Sequence, residues 1–241
     1  MKQNIFKSVA FAALTVLTGS VFISCGGGSG SADGKDLPTD GILGSFPKVY
    51  YECIDGINTA RADMALGSGE EYDIAKARLA ELQEQLKTIA ETEGLSSIEI
   101  PTEVAPGIPF KVVKPLVITG ADDRQLTLQG EVESTESIDG YLTGTYGFLV
   151  AYDTEGNPFA MGEKAFYTAE GNAQNWSAGM KGTVTMYLPI YAFNVNRLAR
   201  IGKLLIVTKK SEEMQKAAAA VSEMQSEAMA KTREALMKMS K

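Results

Sequence analysis

The sequence predicts an α+β chain with helices toward both ends and an antiparallel β-sandwich between them. Three observations carry that class. Apolar residues recur at alternating three- and four-residue spacing over 47–94. The period falls to two between about 97 and 209, then helical spacing returns over 211–241. At 241 residues, with 44% apolar and 22% charged residues, the chain has the composition of a globular protein able to build a core.

Residues 1–24 read as a secretory signal peptide. Lys2 and Lys7 give a positive start, and residues 9–17 are apolar. A spanning helix needs about 20 apolar residues, and Thr18-Gly19-Ser20 interrupts the run well before that. Residues 22–25, Phe22-Ile23-Ser24-Cys25, resemble the lipobox of bacterial lipoproteins, with Phe22 where leucine is usual. The resemblance implies that Cys25 is acylated and becomes the mature N-terminus. It also implies outer-membrane sorting, since Gly26 rather than aspartate follows the cysteine; the periplasmic face and the cell surface stay open. Residues 25–46 then form a Gly/Ser-rich tether by composition. As a coil, 26–46 would average about 25 Å end to end and reach at most roughly 70 Å.

Over 47–94 two series fall on helical stripes: Tyr50, Cys53, Ile57, Ala60, Met64, and then Tyr72, Ala75, Leu79, Leu82, Leu86, Ile89. Gly67 ends the first helix, Ser68 with Glu71 reads as a capping box for the second, and Gly94 closes it. The short linker makes the pair antiparallel. With Cys25 committed to lipid, Cys53 has no disulfide partner, and its place on the stripe reads as buried and structural.

In 97–209, Leu126, Leu128 and Val132 alternate with polar residues. Leu142, Tyr146, Phe148, Val150 and Tyr152 share a face in the next expected strand. Residues 153–157 form a hairpin turn with positive φ at Gly156. Val184, Met186, Leu188 and Ile190 form another inward set. Segments 98–100, 110–118, 159–168 and 203–209 bring the count to about seven strands. Gly130-Glu131-Val132, Phe148-Leu149 with Tyr152-Asp153 and Gly156, and Ala178-Gly179 resemble the extracytoplasmic immunoglobulin-like domains of the FxLYD type. That resemblance spans roughly residues 125–208 and implies an immunoglobulin-like antiparallel β-sandwich, which the strand period extends over 97–209.

The C-terminal helix, 211–241, has a stripe of Met214, Ala217, Val221, Met224 and Ala228. Two readings compete for it: a third member packed with the hairpin as a small bundle, or an exposed arm for a partner.

Composition removes whole classes of chemistry. The chain holds no histidine, which excludes Ser-His-Asp and Cys-His catalysis and His-ligated zinc. The formal charge is −7, and removing residues 1–24 with their two lysines leaves −9, so nucleic acid is not an expected partner. No phosphate-binding loop or nucleophile elbow is present. No catalytic residue, cofactor or metal is expected; Asp153, Glu155 and Asn157 read as a plain turn before a calcium site. If the 184–190 set points inward, Tyr187, Tyr191 and Phe193 point outward, with Trp176 close by in sequence. These four form a candidate binding patch, unless the helices cover them. The expectation is a non-catalytic, lipid-anchored envelope module that meets a protein partner. A carbohydrate-binding lipoprotein of glycan uptake is the alternative, and a carboxylate-based hydrolase a more distant one.

Overall fold

The computed structural model describes residues 36–141, 143–168 and 174–239. The signal segment, Cys25 and the Gly/Ser stretch to residue 35 lie outside the described residues. Leu37 and Leu43 enter the core ahead of the first helix, α1 (Phe46–Leu66). Pro47 sits in the first turn of α1, where its missing N–H forfeits no helical bond. The expected stripe is buried at Tyr50, Cys53, Ile57 and Ala60, and Gly67 ends the helix. α2 (Glu70–Thr92) returns alongside α1. The expected capping box does not form: the N-cap is Gly69 at φ 60, without a side-chain cap bond. Glu70, Glu71 and Asp73 instead place negative charge in the first turn, where the helix dipole favours it. The helices cross closely at Gly56, where a Cβ would lie 2.8 Å from Leu82 Cδ1.

The β region runs β1 (Thr102–Val104), β2 (Phe110–Ala121), β3 (Gln125–Ser134), β4 (Ile138–Tyr141), a helical turn α3 (Thr143–Tyr146), β5 (Phe148–Asp153), β6 (Pro158–Gly162), β7 (Lys164–Thr168), β8 (Gln174–Trp176), β9 (Lys181–Pro189), the short helix α4 (Val195–Leu198) and β10 (Ile201–Val207). Two four-stranded sheets result, ordered β1-β10-β5-β6 and β2-β3-β9-β7, with a small β4–β8 pair beside them. Pairing is antiparallel except between β1 and β10. Leu126 faces Leu188 and Leu128 faces Met186 across β3 and β9, and all four are buried, as the alternation predicts. Both sheets contribute to one continuous core.

Three local expectations are corrected. The strand expected to begin at Leu142 begins only at Phe148, because Thr143–Tyr146 turns as helix. The 98–100 segment gives a single bridge, Ile100 to Leu116, rather than a strand. The stretch 159–168 is two strands, not one, and they belong to different sheets. The chain switches sheet at Gly162-Glu163, the kind of corner by which two layers join. Gly162 is needed there: a Cβ would lie 2.1 Å from the Tyr187 carbonyl oxygen on β9. Across the molecule, the Ile100–Leu116 bridge and the bond from Leu204 N to Pro101 O link the other seam.

The last helix, α5 (Glu212–Met239), buries Met214 and Ala217, with Val221 and Met224 half-buried. Its principal neighbours are β6 and β5, so the expected bundle with the hairpin is corrected. The reason lies in β5. Phe148, Leu149, Val150 and Ala151 are all buried, so this strand is apolar on both faces and needs a cover on each. The hairpin's stripes are already engaged, with α1 meeting α2 at Gly56–Leu82 and α2 also packing on β2.

Candidate functional site

The four residues of the sequence-derived patch do not come together as one surface. Trp176 is only 2% exposed, packed edge-on to Tyr167 with ring centroids 6.3 Å apart. Its placement in the patch is corrected. Residues 174–176 pair with β4 instead of forming an open loop, which turns the indole inward. Tyr187 is half-buried on β9, between Thr127 of β3 and Lys164 of β7. Tyr191 and Phe193 do form a surface feature. Their rings stack 5.2 Å apart at 14°, and Tyr191 is 45% exposed.

The loop carrying this pair is pinned from below. Asn194 is buried; its Oδ1 accepts the Tyr191 N–H at 2.8 Å, and its Nδ2 donates to the Phe159 carbonyl at 3.0 Å. Val195 N–H donates to the Tyr191 carbonyl, which starts α4 directly after the pair. The side chain of Arg197 donates to Asp153 at 2.7 Å. Asp153 also accepts the N–H groups of Glu155 and Asn157, and Gly156 takes φ 84. The buried carboxylate is thus committed to its turn and to Arg197, with both oxygens engaged, and the plain-turn reading of 153–157 accounts for it. Among the described residues no cluster of three or more His, Cys, Asp or Glu side chains could hold a metal ion.

The other acidic pairs have structural partners. Asp122 Oδ1 caps the β2–β3 turn through the N–H groups of Arg124 and Gln125. Asp123 pairs with Arg61 of α1 at 2.5 Å. Glu131 pairs with Lys114, and Glu133 with Lys111 and Lys181, along a wet sheet face. The Lys111 contact holds Glu133 below the usual carboxylate range. A groove of about 520 Å³ opens on that face, lined by Ser97, Lys114, Gln129, Glu131 and Thr183 among others, with no aromatic side chain in its wall.

Buried titratable groups serve the hairpin's attachment. Tyr50 donates to the Asp122 carbonyl at 2.9 Å; burial, reinforced by Asp122 and Asp123, pushes its hydroxyl well above the usual phenol range. Cys53 is buried and free as expected, its thiol pushed up by burial and by Glu52. A raised pKa leaves it a poor nucleophile.

The feature that the sequence reading missed is the hairpin tip. Beyond the Arg61–Asp123 pair, Leu66 is 90% exposed, Ile74 62% and Tyr72 37%. Asp63, Glu70, Glu71 and Asp73 lie close to them in the chain and are exposed too. Leu66 and Ile74 lie off both helical stripes, and that was the available signal; Tyr72, expected on the inward stripe of α2, is corrected to the exposed tip, where the first turn projects past the sheet-packed part of the helix. Compared with protein-family models, with curated proteins and with solved structures, the chain matches none of them.

Proposed function

We propose that this chain is a lipid-anchored envelope protein whose helical hairpin docks, without catalysis, into a protein partner. The carrying observation is the tip: Leu66, Tyr72 and Ile74 stand in water at the end of a fixed helical pair. Exposed apolar groups of this size on a rigid support are the usual core of an interface. The rim of Asp63, Glu70, Glu71 and Asp73 sets the partner's chemistry as an apolar socket edged by lysine or arginine. Acylation of Cys25 supplies the anchor, and outer-membrane placement follows from Gly26 at the next position. For the scaffold we read the two sheets as an immunoglobulin-like sandwich, supported by two four-stranded layers around one core. The chain passes from one sheet to the other at Gly162-Glu163.

A photo-crosslinking residue placed at Ile74 in the full-length protein tests the docking. An adduct in intact envelopes is expected from position 74 and not from Glu84 on the same helix, and it weakens as salt rises. Equal yields at the two positions, or an adduct indifferent to Leu66→Asp, would refute the tip as the interface.

A further inference from the structure

The groove on the wet face of the β2-β3-β9-β7 sheet has a definite structural origin. Lys114 pairs with Glu131 and Val117 with Gln129, so β2 carries one extra residue opposite Gly130. Side chains alternate along β3, where Leu128 and Val132 are buried, so a Cβ on Gly130 would point to the core. That Cβ would meet the Lys114 carbonyl oxygen at 2.8 Å and the Pro115 carbonyl oxygen at 3.1 Å. The bulge therefore dips beneath β3 and leaves the depression of about 520 Å³ on the outer side. The second wall is the turn after α2, at residues 96–99, held between buried Leu95 and the Ile100–Leu116 bridge. Both walls are main chain fixed at their ends, so the groove is preformed. Its volume lies within the range of about 300–1,000 Å³ usual for small-ligand sites.

We propose that this groove and the row of side chains beside it on β9 bind a neutral, unbranched oligosaccharide. The site lies past the end of α2 opposite the hairpin tip, about 35 Å along that helix, and needs no anchor. Ser96, Ser97 and Thr183 supply hydroxyls and Gln129 a carboxamide, groups that both donate and accept, as sugar hydroxyls do. Lys114 is already paired with Glu131, and Glu99 adds a second carboxylate, so the wall has no surplus positive charge for an anion. Pro115 and Val117 add apolar surface for the C–H face of a ring. An aromatic face stands one step beyond the groove. Tyr187 is opposite Thr127, the next outward residue on β3 from Gln129, which makes Tyr187 and Gln129 diagonal neighbours about 7–8 Å apart. The electron-rich face of its ring suits the polarised C–H groups of a sugar. Thr185 lies between Thr183 and Tyr187 on the same face, and this row runs about 13 Å along β9. Gln129 is exposed and Thr183, Thr185 and Tyr187 are half-buried, so the row is open to solvent. An extended peptide finds no free edge here. β9 is paired on both sides, and β2 is paired with β3 and bridged at Leu116 to Ile100.

The test titrates the full-length protein with neutral hexasaccharides, namely α- and β-linked glucose, β-linked mannose and β-linked xylose chains. Binding is read by calorimetry and by backbone amide NMR shifts. A saturable shift is expected at Gln129, Thr183 and Thr185 with at least one of these sugars, and none at Leu66 or Ile74. Gln129→Ala should weaken that binding at least about fivefold, the loss of a hydrogen bond to the ligand, with an unchanged circular dichroism spectrum. Glu227→Ala, exposed on α5, should leave it as in the parent. Tyr187→Leu removes the ring face and should weaken binding as well; the exposed Gln129 position keeps the test sound if that variant unfolds. No saturable shift at millimolar sugar, or shifts that spare the groove, would overturn the proposal. Stronger binding of an oligogalacturonate at the same amides would overturn it by assigning the groove to Lys114 and an anion. Stronger binding of a tetralysine peptide there would do so by assigning it to Glu99 and a basic partner.

Discussion

The corner at Gly162 is the most exacting packing position in the molecule. An alanine Cβ there would stand 2.1 Å from the backbone oxygen of Tyr187 and 3.6 Å from the Leu149 Cβ. Carbon–oxygen contacts settle near 3.3 Å, so the neighbour must yield by about 1.2 Å. That neighbour is the main chain of β9, held on both sides by β3 and β7. It cannot rotate aside as a side chain would. Overpacking of a core costs about 1–3 kcal/mol, and the rigidity of β9 puts Gly162→Ala at the upper end. For a chain of this size that lowers the thermal midpoint by roughly 6–12 °C. Gly56→Ala is the matched control. Its new Cβ would meet the Leu82 Cδ1 at 2.8 Å, the far end of a flexible side chain, and alanine gains up to about 1 kcal/mol of helix propensity over glycine. The control should stay within about 1 kcal/mol of the parent. Urea unfolding followed by circular dichroism reads both variants. A loss below about 1 kcal/mol for Gly162→Ala, or a larger loss for Gly56→Ala, would refute the corner as described.

Three further outcomes follow from the packing. Leu86 is 2% exposed between the helices and the sheet, so Leu86→Ala should cost about 2–5 kcal/mol in the same urea assay. Deleting residues 211–241 uncovers the outer face of β5 and β6, and the shortened chain should aggregate or lose cooperative unfolding, as read by light scattering and calorimetry. Asp55 has a buried Oδ1 without a partner, and burial raises its carboxyl above the usual range against the pull of Arg78. The folded state then holds that proton more tightly than the unfolded one. Stability falls as pH rises from the unfolded to the folded pKa, and the penalty is complete above both. Asp55→Asn should therefore be more stable than the parent at neutral pH. The difference should close toward roughly pH 3, where both carry an uncharged side chain.

Elements set by local chemistry were legible in the sequence. The α1 stripe, the β3 and β9 alternation and the 153–157 turn each depend on neighbours a few residues away, and each stands where the pattern puts it. Elements settled by distant contacts were not. Nothing in the run 159–168 marks the sheet change, because Gly162 is required by the approach of Tyr187, some 25 positions later in the chain. The α5 stripe fits any apolar surface, so its pattern alone could not choose between the hairpin and β5–β6. Trp176 followed the same logic: its polar neighbours suggested a loop, while pairing with β4 and the Tyr167 ring buried it. In the candidate site, Tyr191 and Phe193 come to the surface on the turn after β9, which ends at Pro189, and not through the continued strand alternation that the sequence suggested. The exposure of Leu66 and Ile74 was readable only as a departure from the helical stripes.

The proposed function rests most on acylation of Cys25, which would tie the chain to the bilayer. Mass spectrometry of the N-terminal peptide from envelope-purified protein, paired with flotation of the Cys25→Ser variant, tests it directly. The expected result is a mature chain that begins at Cys25 bearing acyl chains, and a serine variant released to the soluble fraction. An unmodified Cys25, or a serine variant that still floats with the membrane, would contradict it.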